Sequence, residues 1–324
     1  MSRRRQGWRG PHSGAGWEGV DEHTPTSGPI GGPSADALFA APAHEVRAAV
    51  GRALAEDLTP LGDLTASLVA PDAVAVRALV ACRSGVLAGS VCATEAFLQV
   101  EPTIRLGWRK TDGDRLEPGD LIAAISGPLA PLLTAERTAL NFLGHLSGIA
   151  TMVARWVEVA DGGAVVWDTR KTTPGLRALE KAAVRAGGGA NHRANLSDWI
   201  MLKDNHLTGT DIAVAVKSAH SRWPGRTVHV ECDDLEQVRE CLRAGADAIL
   251  LDDMTPAEVR TCVAEADSWK AEHGRRPLLE ASGGITLDIL ADYATTGVDC
   301  ISSGALTNAS PALDIGLDLE GSDR

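Results

Sequence analysis

The sequence predicts an α/β protein whose C-terminal half is a parallel sheet or barrel, and three observations carry that prediction. First, short apolar runs at 164–168, 199–203, 227–231, 247–251, 278–281 and 299–302 alternate with helical patterns at 175–186, 211–220, 234–244, 256–272 and 286–296. This is the βα repeat of a parallel sheet. Second, hydrophobic residues make up 44% of the chain but aromatic residues only 4%. The core is therefore mostly Ala, Val, Leu and Ile, which suits tight helix-on-sheet packing. Third, the polar groups that read as functional all follow strands at their carboxyl ends, where βα barrels carry their active sites. Six strands fall short of the eight of an ideal barrel, and the stretch 187–191 (Gly-Gly-Gly-Ala-Asn) is where a seventh would hide.

The chain of 324 residues allows about two domains. Residues 1–36 are rich in Gly, Pro, Ser, Arg and His without periodicity and read as a disordered extension. Segment 43–58 sets Val46, Ala49, Val50, Ala53, Leu54 and Leu58 at helical spacing. After the turn-rich link 59–65, strands at 74–82, 103–107 and 121–125 and a helix near 90–99 suggest a compact α+β unit. Residues 110–120 read as a surface hairpin or loop. A long helix starts near Pro131, apolar on most faces and therefore largely buried. Gly144 and Gly148 within it signal close packing or a break, and His145 reads as a satisfied core histidine.

Composition excludes several function classes. A net charge of −12 argues against a general nucleic-acid surface. No apolar run approaches the ~20 residues of a membrane span. The six cysteines form no C-x-x-C pair, so free thiols in a reducing compartment are expected rather than a disulfide framework or a zinc site. Arg3, Arg4 and Arg5 have no apolar segment behind them, so neither a signal peptide nor a twin-arginine signal is expected. A cytoplasmic protein is the resulting expectation.

Against this acidic background one stretch, 168–206, holds Arg170, Lys171, Arg177, Lys181, Arg185, His192, Arg193, Lys203 and His206. Arg170 and Lys171 follow one buried strand and Lys203 another, so the scaffold holds cations where a ligand can meet them. Clustered Arg and Lys recognise carboxylates and phosphates. The turns Ser282-Gly283-Gly284 and Ser303-Gly304, on consecutive strands, would offer backbone N–H groups to a phosphate. Glu231 and Asp252, also at strand ends, suit sugar hydroxyls, Mg²⁺ or a developing cation. The plainer alternative for these two acids is a salt bridge to Lys203 or Arg170.

These residues lie in motifs that resemble the quinolinate phosphoribosyltransferase family (carboxylating nicotinate-nucleotide pyrophosphorylases). The motifs are EDLTPLGDLT (56–65), ERTALNFLGHLSGIAT (136–151), DTRKTTPGLR (168–177), GGGANHR (187–193), LKDNH (202–206), the HVEC and LLDD strand ends, EASGGI (280–285) and SGALT (303–307). They stand in family order and cover roughly 43–319. The resemblance implies an N-terminal α/β sandwich over 37–143, to which 308–324 returns, and an open, seven-stranded α/β barrel over 144–307. It implies transfer of phosphoribosyl from phosphoribosyl pyrophosphate to quinolinate with Mg²⁺ and loss of CO₂, giving nicotinate mononucleotide. Arg137, Arg170, His192, Arg193 and Lys203 would hold the two quinolinate carboxylates. Lys171 and Lys203 would neutralise phosphates, while Glu231 and Asp252 would hold ribose hydroxyls and Mg²⁺ and stabilise the anomeric cation. It also implies a homodimer in which Arg137 reaches the neighbouring site.

Three departures from the family pattern stand out. Asp253 replaces a common Asn, Asn308 replaces a common His, and residues 1–36 have no counterpart. Two other readings remain at this stage. One is a paralogous phosphoribosyltransferase acting on another aromatic acid. The other is a non-catalytic phosphosugar-binding dimer, which predicts missing carboxylates at 231 and 252.

Overall fold

The structure, a computed structural model, describes residues 40–319; the extension expected over 1–36 lies outside them, as do residues 320–324. Helix α1 (Ala43–Leu58) buries Val46, Ala49, Val50 and Leu54, the stripe set by its apolar spacing. Strands β1 (Val74–Ala81), β3 (Arg105–Trp108), β5 (Leu121–Pro128) and β12 (Ile315–Leu319) form an antiparallel sheet in the order β12-β1-β5-β3. Helix α2 (Ser90–Val100) completes this region. The region expected as a hairpin or loop contains β4 (Arg115–Leu116), which pairs with β2 (Gly85–Val86).

Helix α3 (Leu129–Ala160) runs unbroken for 32 residues. Of the two meanings of Gly144 and Gly148, close packing is the one realised. A Cβ on Gly148 would lie 2.1 Å from the Pro311 carbonyl oxygen, and one on Gly144 would lie 3.0 Å from that of Leu313. The Leu313 N–H donates to the Gly144 carbonyl at 2.8 Å. The two glycines thus admit the returning C-terminal segment that leads into β12. His145 is satisfied as expected, its Nε2 meeting Glu180 at 2.9 Å, but its side chain is one-third exposed and so lies at the edge of the core.

Beyond α3, strands β6 (Val165–Trp167), β7 (Ile200–Leu202), β8 (Val228–Cys232), β9 (Ala248–Asp252), β10 (Leu278–Ser282) and β11 (Cys300–Ser302) form one parallel sheet in the order β6-β11-β10-β9-β8-β7. The connecting helices are α4 (Arg177–Ala186), α5 (Ile212–Arg222), α6 (Leu235–Ala244), α7 (Pro256–His273) and α8 (Leu290–Ala294), with a last turn α9 (Ala305–Asn308). The seventh position is a parallel bridge from Ala190 to Trp167, on the free edge of β6. The chain crowds against α3 there. A Cβ on Gly187 would fall 2.4 Å from the Ala150 carbonyl oxygen, and one on Gly189 would fall 2.8 Å from Val153. Glycines demanded by this approach hide the strand from a pattern that looks for β-branched residues.

Charges also occupy the amino ends of the strands, contrary to the simplest form of the one-sided argument. They are closed on one another, however. Asp299 accepts from Arg276 at 2.6 and 3.0 Å and from the Leu279 N–H, and Asp247 accepts from His220 and the Val228 N–H. The carboxyl ends are the side where charged donors are left over.

Candidate active site

At the carboxyl ends of the parallel strands lies a cavity of about 370 Å³. Arg170, Lys171, His192, Arg193, Lys203, Glu231, Asp252 and Ser282 all line it. Residues some 110 positions apart in sequence share it because each leaves a parallel strand at the same end. Met201 and Leu250 give it an apolar face and Glu280 and Ser302 part of its floor.

A buried fastener holds the cationic wall. Asp168, fully buried just past β6, accepts from Lys181 of α4 at 2.5 Å, from the His192 N–H at 2.8 Å and from Asn191 at 2.8 Å. Lys181 donates a second bond to the His192 carbonyl at 2.9 Å. Burial pushes the Asp168 carboxyl up and the Lys181 ammonium down, while the ion pair opposes both. Arg177 bonds Thr172 and the Ala194 carbonyl, each at 3.0 Å, tying the loop after β6 to the loop after His192. The His192 ring sits edge-on between Trp167 and Trp199, with centroids at 5.6 and 4.8 Å. The cationic stretch thus divides into Arg177, Lys181 and Arg185, which build the wall, and Arg170, Lys171, His192, Arg193 and Lys203, which face the cavity. His206 accepts from the Lys203 N–H and closes a turn instead.

Two guanidiniums remain unspent. Among the described residues neither Arg170 nor Arg193 forms a salt bridge. Arg170 Nε is buried without a partner, and Arg193 reaches only the Met201 sulfur, at 3.4 Å. Burial first, and Arg170 next, push the Arg193 pKa down. Adjacent cations without counterions are an anion site in waiting. On the opposite side Lys203 bonds Glu231, so the plainer alternative holds for Glu231. Asp252 forms no such pair among the described residues. Burial, then the charges of Glu231 and Asp253, push its pKa up.

The glycine turns frame this rim without lining the cavity. Gly283 and Gly284 have φ of 86° and 56°. Asp253 itself stands at φ 52° and packs on Gly283, where a Cβ would fall 2.3 Å from its carboxylate. Ser303 and Gly304 cross beneath Lys171, whose stem would lie 2.6 Å from a Cβ at 304. Arg137 is exposed on α3 and does not line the cavity, and Asn308 is exposed at the end of α9. Sequence reasoning did not select Thr169, Met201, Leu250, Glu280 or Ser302. The EASGGI motif contained Glu280, but an acid inside a buried strand gave no strand-end signal.

The sequence matches the family model of the quinolinate phosphoribosyl transferase N-terminal domain over residues 63–147 and that of the C-terminal domain over 149–318. The chain belongs to the quinolinate phosphoribosyl transferase family. It is 41% identical to the probable nicotinate-nucleotide pyrophosphorylase [carboxylating] of Bacillus subtilis, over 80% of this chain and 88% of that protein. It is likewise 41% identical to the Mycobacterium leprae nicotinate-nucleotide pyrophosphorylase [carboxylating], over 84% and 96%. The solved nicotinate-nucleotide pyrophosphorylase of Francisella tularensis superposes with a TM-score of 0.81 at 33% identity, covering 87% of this chain and 99% of that one. For a member of this transferase family, Asp253 is a mild departure in backbone terms, because Asp shares with Asn an unusual tolerance of positive φ. Its extra charge is the part that matters, beside Asp252.

Proposed function

We infer that this quinolinate phosphoribosyl transferase family member is a pentosyltransferase of NAD biosynthesis. It transfers the phosphoribosyl group of phosphoribosyl pyrophosphate to the ring nitrogen of quinolinate, releasing pyrophosphate and CO₂ and giving nicotinate mononucleotide. The observation that carries this reading is the union, in one cavity, of two unpaired guanidiniums and two strand-end carboxylates. A dicarboxylate satisfies Arg170 and Arg193 together with His192, and Met201 and Leu250 offer the flat ring an apolar face. Lys171 and Lys203 meet phosphate oxygens. Glu231 and Asp252 hold ribose hydroxyls and oppose positive charge growing at the anomeric carbon. Once alkylated, the ring nitrogen is cationic and accepts the electron pair of the departing carboxylate, so the chain needs placement of charge more than an acid or base.

Glu231 and Asp252 form an oxygen-only donor pair on adjacent strands, and burial first and the Glu231 charge next push the Asp252 pKa up. That fits Mg²⁺, which in this site would supply charge neutralisation for the leaving pyrophosphate. We place the enzyme in the cytoplasm as a homodimer. In support of the compartment, five of its six cysteines are buried free thiols. Arg137, exposed and outside its own cavity, supplies the neighbouring site.

The deciding experiment gives the purified protein quinolinate, phosphoribosyl pyrophosphate and Mg²⁺ and follows nicotinate mononucleotide and CO₂, with nicotinate as a parallel substrate. Both products, dependent on quinolinate, are expected. Turnover of nicotinate alone would mean that the 2-carboxylate contacts are misassigned.

A further inference from the structure

Beneath the cationic wall, three side chains converge that the transfer chemistry does not jointly need. Glu280 of β10, His229 of β8 and His192 are all buried, at 0%, 1% and 7% exposure. Glu280 Oε2 lies 3.4 Å from His192 Nε2 and 3.5 Å from His229 Nε2. The three donor atoms all fall within 4.8 Å of one another.

These are poor hydrogen bonds. Both Glu280 oxygens and His229 Nε2 are buried without any hydrogen-bond partner, although a buried carboxylate left unsatisfied is among the costliest arrangements a core can hold. The second nitrogen of His229 explains the misfit. The main chain of Ile249 offers the ring a hydrogen-bond acceptor. Since Nε2 is unpartnered, the proton serving that bond sits on Nδ1. With the proton there, Nε2 presents a lone pair to the Glu280 carboxylate 3.5 Å away, both of them buried and unpartnered, an arrangement that a cation between them relieves.

The spacing of Glu280 Oε2 to each imidazole fits such a cation, and the two imidazoles place their nitrogens within 4.8 Å of each other. Tetrahedral coordination with bonds of about 2.0–2.2 Å separates neighbouring donor atoms by about 3.3–3.6 Å. A ligand histidine that gives its other N–H to a backbone carbonyl is the usual way a protein fixes the metal-binding tautomer. Two imidazoles and one carboxylate suit a borderline transition ion far better than Mg²⁺. His192 and Glu280 line the cavity, which leaves a coordination position facing it.

We propose that His192, His229 and Glu280 form a second metal site, selective for zinc-like divalent ions and distinct from the Glu231–Asp252 pair. Occupancy takes His192 out of carboxylate binding, so an ion here inhibits competitively against the aromatic acid. That consequence rests on the proposed function, whereas the binding does not.

The test is a Co²⁺ titration of the full-length protein without substrates, read by visible d–d absorption. The expected result is one equivalent bound with the intense bands of a four- or five-coordinate ion, displaced by Zn²⁺ and untouched by millimolar Mg²⁺. His229→Gln and Glu280→Gln are each expected to weaken binding at least about tenfold. Weak six-coordinate bands, thiolate charge transfer marking the exposed Cys82, or unchanged affinity in His229→Gln would overturn the proposal. Because both substitutions alter a packed interior, a second readout uses the parent chain alone. Anomalous scattering from zinc-soaked crystals should place the ion among the three side chains, and a peak only at other residues rejects the site. Since no substrate enters either experiment, failure here leaves the transferase reading intact.

Discussion

At the residue scale, the decisive quantity is how many charged donors remain after the wall has been built. Lys171 is exposed, its backbone carbonyl is held by Thr307 at 2.8 Å, and its stem runs over Gly304. Nothing in the core depends on its ammonium. Lys171→Ala should therefore lower turnover by about 10²–10³-fold, the usual loss of a charge that stabilises a transition state, with an unchanged far-UV spectrum and melting temperature. Undiminished kcat in that variant would remove Lys171 from the site. Asp253 is a subtler case. Its backbone is left-handed, and Asn tolerates that conformation as well as Asp does. Asp253→Asn should keep the fold and, by removing a negative charge beside the phosphate region, lower the KM for phosphoribosyl pyrophosphate about two- to fivefold. The gain should shrink as salt is raised, and a salt-independent change would point to a conformational cause.

At the element scale, the end of β6, α4 and the loop after Ala190 act as one part because Asp168 pairs with Lys181 and both bond the His192 backbone. Removing one member of a buried ion pair typically costs about 3–5 kcal/mol, since the other is left charged and dry. Lys181→Met should fall at the lower end of that range by urea unfolding, because Arg185 also lies within electrostatic reach of Asp168. The same change frees the His192 carbonyl. A raised KM for quinolinate, at protein concentrations and temperatures where the variant remains folded, is the functional counterpart. An unchanged KM would mean that Asp168 and the tryptophans suffice to hold His192.

At the scale of the whole molecule, the fold separates two kinds of strand end. Charges at the amino ends are neutralised within the chain, by Arg276–Asp299 and by the partners of Asp247, and serve stability. At the carboxyl ends Arg170 and Arg193 form no salt bridge among the described residues and are left for a ligand. The proposed homodimer would add one further donor, Arg137, and this has a sharp consequence. Arg137→Ala and Lys171→Ala chains should each be inactive alone. When they are unfolded together and refolded as mixed dimers, one site per heterodimer recovers both residues, giving about a quarter of parental activity for random pairing. No recovery would mean that Arg137 serves its own chain or none.

The sequence by itself determined the alternation of strands and helices, because apolar periodicity records which face of each segment meets the core. It also determined the strand-end residues, since a charge following a buried run can only emerge at the end of the sheet. It could not decide which cations are spent. Arg177, Lys181 and Arg185 look the same in sequence as Arg170 and Arg193. Only packing shows that the first three close on Asp168, Asn191 and nearby backbone carbonyls while the last two face an open cavity. Nor could it find Glu280 and His229. An ionisable residue inside a strand differs from its neighbours only through what lies across the sheet, and that is set by parallel register between segments some fifty residues apart. The single-residue strand at Ala190 was hidden for a related reason: its glycines answer to the helix packed against them, and no local pattern carries that information.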